Sequence, residues 1–187
     1  MNFLKYNFKK TGFTLVEVLV AISILSISIL ATFTAVQNSL KSTNFAEDQV
    51  IAYYLADEAL EFIRNFRDSN AIRHVSALGS GGTYGWLSGF AGAGGDPCFP
   101  GKFCHIDVPG NRVYECSSDA ASCPVLLYNA SAGVYEYVTG TATQFKRSVS
   151  ITMTNATEAV VRVQVSWTAQ GISKDHVQSV TLRNWTE

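Results

Sequence analysis

The stretch KTGFTLVEVLVAISILSISILATFTAV, residues 10–36, is apolar from Phe13 onward and holds one charge there, the carboxylate of Glu17. Residues 13–36 number twenty-four. At a helical rise of ~1.5 Å per residue they span about 36 Å, enough to cross a hydrocarbon layer of ~30 Å with some tilt. Apart from Glu17 the charge-free run continues to Leu40, and Lys5, Lys9 and Lys10 precede it with no acid among them. That asymmetry predicts an N-terminus in the cytoplasm and a C-terminal bulk on the opposite side of the membrane.

A cleaved secretory signal shares the basic start, but its apolar run is shorter, and TFTAVQ (residues 32–37) puts Phe33 where a small residue is required. A plain signal anchor gives Glu17 no role. An ionised side chain within a membrane costs about 2.5–3.5 kcal/mol, so such a residue normally has a partner. A cut between Gly12 and Phe13 frees an α-amine four residues from Glu17. In a neighbouring, staggered helix that amine is a cation at matching depth, and carboxylate and amine neutralise each other.

KKTGFTLVEVLVAISILSISIL (residues 9–30) resembles the type IV prepilin signature: a short basic leader, a glycine before an aromatic, and an acid fifth in the mature chain. Type IV pilins, minor pilins and type II secretion pseudopilins share it. The resemblance implies cleavage between Gly12 and Phe13 by an inner-membrane prepilin peptidase, methylation of the Phe13 amine by the same enzyme, and Glu17 as the assembly residue. It implies as partners other pilin or pseudopilin subunits, an inner-membrane assembly platform and the lipid bilayer. The implied location is a single pass through a bacterial inner membrane with the C-terminal domain extracytoplasmic, then a filament on the cell surface. Many major pilins carry a proline partway along the mature helix; Thr34 stands at that place here, which favours a minor pilin.

No glycine or proline occurs in residues 13–78. Beyond the anchor, Val50, Tyr54, Leu55, Ala59, Phe62, Ile63 and Phe66 recur at helical spacing, with Glu47, Asp57, Glu61, Arg64 and Arg67 on the other face. One helix is predicted from about Thr14 to about Asp68, apolar all round in its first half and amphipathic in its second. AYYLADEALEFIRNFRDSN (residues 52–70) is also similar to this region of minor-pilin-like sequences.

Residues 79–110 hold ten of the fourteen glycines and three of the four prolines, which predicts turns and irregular loop. Tyr84, Trp86, Leu87 and Phe90 lie within it and are expected to pin the loop to the domain. GGDPCFPGK (residues 94–102) has a superficial look of a phosphate loop. Its glycine spacing is one residue too long, Asp96 stands at the first-glycine position and Phe103 replaces the hydroxyl residue, so the reading fails.

Four cysteines, Cys98, Cys104, Cys116 and Cys123, cluster here. None forms C-x-x-C, and an even count in an exported, loop-rich region favours disulfides over zinc. Three pairings are possible; the sequential one, which closes two short loops, is preferred.

Strands are predicted next. PVLLYN and GVYEYV flank the turn at Asn129 as a hairpin. RSVSITM sends Val149, Ile151 and Met153 one way and Ser148, Ser150 and Thr152 the other; VVRVQVSW resumes the alternation through Val161, Val163, Val165 and Trp167. HVQSVTLRNW follows a turn at Gly171. Period two over consecutive segments predicts an antiparallel meander with one covered face. FKRSVSI, VRVQVSW and VQSVTLRNW together resemble the C-terminal sheet of minor pilins related to the pseudopilin of the I type.

The expected architecture is α+β, and the resemblance implies the type IV pilin fold: a long N-terminal helix, transmembrane in its first half, packed on an antiparallel sheet of about four strands. The expected segments are a leader over 1–12, an assembly helix over 13–40, an amphipathic helix half over 41–78 and a globular domain over 79–187. Of fourteen Lys/Arg, three lie in the leader, leaving eleven against fifteen Asp/Glu and no basic stripe for nucleic acid. His74, His105 and His176 are scattered, and no nucleophile, acid–base or metal constellation is visible, so neither an enzyme nor a cofactor is expected. Asn-x-Ser/Thr occurs at Asn129, Asn155 and Asn184, in predicted turns and near the chain end. Two roles fit: a structural filament subunit, or an extracytoplasmic recognition module at a filament tip using the glycine-rich aromatic loop. The sequence does not choose among a pilus, type II secretion and DNA uptake.

Overall fold

The computed structural model describes residues 12–78, 85–117, 119–169 and 171–185. The leader residues 1–11, the loop residues 79–84 with Tyr84, and the sequon residue Thr186 lie outside the described residues. The chain divides into two compact units, Met1–Ala46 and Glu47–Glu187.

The first unit is helical from the start of α1 (Leu15–Leu78), and every described residue in it is exposed. By length and composition α1 can cross a membrane. Several of its hydroxyls bond back within the helix. Ser23 donates to Leu19 O, Ser26 to Ile22 O and Ser28 to Ile24 O, each at 2.8 Å; Thr32 and Thr34 bond back into the preceding turn in the same way. This suits a hydrocarbon environment, where an unpaired polar group costs several kcal/mol.

The second unit holds the sheet. Its strands are β1 (Phe103–Asp107), β2 (Arg112–Glu115), β3 (Val125–Asn129), β4 (Val134–Glu136), β5 (Thr141–Asn155), β6 (Glu158–Ala169) and β7 (Ile172–Arg183), and all pairings are antiparallel. The β5–β6–β7 meander is the predicted one. Among the described residues seven strands stand in place of the four or so expected. Period-two reading missed β1 because FCHID lies in glycine- and cysteine-rich sequence, and β2 because RVYE is four residues with little apolar content. The 79–110 region is therefore not all loop.

β5 organises the sheet. Residues 146–155 of β5 pair with β6, while the opposite edge is shared by β3 at Thr141, Ala142 and Lys146 and by β1 at Val149 and Ser150. Gly140 makes the sharp entry into β5 with φ +124°; a Cβ there would lie 2.5 Å from Tyr128 O, so only glycine fits.

Ala52, Leu55, Ala56, Ala59, Leu60 and Ile63 of α1 are buried in one core with Phe145, Val149, Val161, Val163, Val165 and Trp167 of the sheet. Buried positions 52, 55, 56, 59, 60 and 63 follow the helical period and include the predicted Leu55, Ala59 and Ile63, with Phe62 and Phe66 packed alongside; of the predicted face only Val50 and Tyr54 turn out, 54% and 65% exposed. Three alanines let the backbone approach the sheet, so small residues rather than the bulkiest ones mark the covered stripe.

α1 continues past Asp68 to Leu78, since nothing before Gly79 breaks it. The extra turns are used: the buried Asn70 amide donates to Trp86 O at 3.2 Å and Ser88 O at 3.0 Å. Trp86, Leu87 and Phe90 are buried, and the Phe90 ring lies 5.6 Å from Phe66. The Asp96 carboxylate accepts from Gly89 N and Ala93 N, so this segment is a structured turn cluster.

Candidate functional site

At the N-terminus of α1, Phe13 is 80% exposed and the chain turns into helix at Leu15. Thr14 is the cap. Its hydroxyl accepts from Glu17 N at 3.2 Å and its carbonyl accepts from Val18 N at 3.2 Å. Glu17 therefore occupies the third helical position, where the Thr-x-x-Glu pattern and the positive end of the helix dipole both favour a carboxylate. Phe13 and Glu17 are both exposed, four residues apart at the start of α1.

The cysteines lie in the second unit, joined Cys98 to Cys104 and Cys116 to Cys123, all four buried. Cys104 sits in β1 and Cys116 directly follows β2, so the two bridges bracket one hairpin. Asn129 and Asn155 both use their side-chain oxygens to hold local turns. Among the described residues no group of three His, Cys, Asp or Glu is placed to hold a metal.

The sequence reading overlooked a buried polar cluster around Arg147. This guanidinium is fully buried; Nη1 donates to Leu55 O at 2.9 Å and Glu58 Oε2 at 2.7 Å, and Nη2 donates to Ile106 O at 2.6 Å. It therefore ties α1 to β5 and β1. The His105 imidazole lies 4.6 Å from the Tyr137 ring and 5.3 Å from the Tyr114 ring. Burial, and then the Arg147 charge, push its pKa down to about 4. Burial also raises the Tyr137 phenol. The available signal was an arginine at an inward position: Phe145, Arg147, Val149 and Ile151 share one face of β5, and a cation there requires an internal acid.

No curated protein and no solved structure matches the chain significantly. A family model described as the prokaryotic N-terminal methylation motif matches residues 7–33. Those residues contain Gly12, Phe13 and Glu17 and run into the exposed apolar part of α1. The chain carries the N-terminal methylation motif of type IV pilin-like prepilins, heading an apolar helix that leads to an α+β domain.

Proposed function

We propose that the chain is a minor pilin or a type II secretion pseudopilin, a structural subunit of a membrane-assembled filament and not an enzyme. Prepilin peptidase cuts between Gly12 and Phe13 and methylates the new amine. The domain stands outside the inner membrane, and polymerisation moves the apolar half of α1 from lipid into a bundle of like helices. Lipid is as apolar as leucine, so this transfer gains little from apolarity alone; packing and a Glu17–amine pair between neighbours supply specificity.

The observation that carries this reading is the methylation motif joined to an apolar helix whose described residues are exposed through Ala46, next to a domain with its own core. The deciding experiment is the intact mass of the purified native protein. A chain starting at Phe13 and one methyl group heavier supports the reading; a chain retaining residues 1–12 overturns it. The recognition-module alternative would need residues other than Trp86, Leu87 and Phe90, whose side chains are committed to the core.

A further inference from the structure

A groove of about 490 Å³ lies between α1 and the β3–β4 hairpin. Its walls are Ile51, Tyr54, Leu55, Val134 and Tyr135, and three carboxylates, Asp57, Glu58 and Glu61, stand along its helix side. Such a volume with apolar walls and a few placed charges is the usual form of a binding site. Tyr54 is 65% exposed there; its ring meets the Tyr53 ring edge-on at 5.7 Å and otherwise leaves an aromatic surface open to the groove.

The charges around the groove are unequal. Glu58 answers the buried Arg147, and Glu61 pairs with Arg64 one helical turn on. Asp57 has no ion pair among the described residues. Glu47 and Asp48 add to the negative field: after burial and Tyr128, they are what holds the Tyr135 phenol above its ordinary value. Five acids therefore face this region against two arginines, one of them wholly internal.

We propose that this groove docks a segment of a different protein that presents an arginine or lysine flanked by aliphatic residues. The alkyl stem lies on Ile51, Val134 and the Tyr54 face, where a cation gains from the ring, and the head reaches Asp57 and Glu61. A second copy of the chain fits poorly. Beyond residue 12 the chain carries fifteen acids to eleven Lys/Arg, so self-docking would bring net like charge toward an acidic rim. The proposal rests on the domain alone and stands apart from the filament reading.

The test follows tyrosine ring resonances of the detergent-solubilised full chain during titration with valyl-arginyl-valine amide. Saturable shifts of groove tyrosines are expected, weakened roughly tenfold or more by Asp57→Asn with Glu61→Gln, and about tenfold by Tyr54→Ala. These side chains lie outside the core, so unchanged melting temperatures verify that the variants fold. The proposal is overturned by any of four results: no saturable shift, equal binding of valyl-glutaminyl-valine amide, equal binding of argininamide alone, or variants that bind as the parent does. Concentration-dependent self-association abolished by Tyr54→Ala would assign the groove to a second copy and overturn it as well.

Discussion

Arg147 Nη1 lies 2.7 Å from Glu58 Oε2, with the guanidinium fully buried and the carboxylate 36% exposed. The pair is lopsided: arginine has lost all its water, whereas glutamate keeps some. Removing the acid therefore strands a buried cation. Glu58→Ala is expected to destabilise the domain by about 3 kcal/mol, and Glu58→Gln by less, because its amide oxygen still accepts from Nη1. Arg147→Met removes the cation along with its partner requirement and should cost less than Arg147→Ala, which also leaves a cavity. Urea unfolding of the solubilised chain with its disulfides intact ranks the four.

His105 makes stability fall in mild acid. Its folded pKa is about 4 against an ordinary 6.5, so the unfolded chain takes up the proton first. The contribution is complete above pH 6.5 and is lost progressively as pH falls toward 4. Discounted for the part of the ring that solvent screens, the loss is about 1–2 kcal/mol. Melting temperature measured across this window should drop in the parent and drop less in His105→Gln.

Each disulfide closes a short loop, with sequence separations of six and seven. Loop-closure entropy at this size predicts about 2–3 kcal/mol per bridge. Paired serine replacement of Cys98 and Cys104, or of Cys116 and Cys123, should each lower the unfolding free energy by about that amount. Because both bridges bracket β1 and β2, replacing all four cysteines should depart from additivity, which denaturation of the three variants reads directly.

On the proposed function, Glu17→Leu should still insert in the membrane, since it removes the one charge from the apolar run. Filament yield should nevertheless fall by roughly tenfold or more, because the neighbour's amine then meets no counterion in an apolar setting. Membrane fractionation and sheared-filament recovery separate the two effects. Normal recovery of the variant in filaments would exclude an assembly role for Glu17.

What could be read in advance depended on periodicity. Residues 13–78 lack any helix breaker, and Val149 to Trp167 alternate strictly, so α1 and the central meander were legible. Ala52 and Ala56 are not marked by apolar bulk as part of the covered face, because backbone approach, which favours the smallest side chain, is what buries them. β1 and β2 were hidden by brevity. Arg147 was passed over because the alternation was read from Val149 onward, two residues past the cation. At the functional end, Gly12, Phe13 and Glu17 were visible as a motif, but the Thr14 cap needed coordinates.

β5 has consequences for how the molecule resists force and proteases. With β6 along one side and β3 and β1 dividing the other, none of these three strands can peel away without exposing β5. Loosening of a direct neighbour should therefore reach β5, and the amides of Lys146, Val149 and Ser150, which have strand partners on both sides, should be among the last to exchange with deuterated solvent. For a body held by one end of a helix, that interior seam turns tension at the tether into a load that every layer shares.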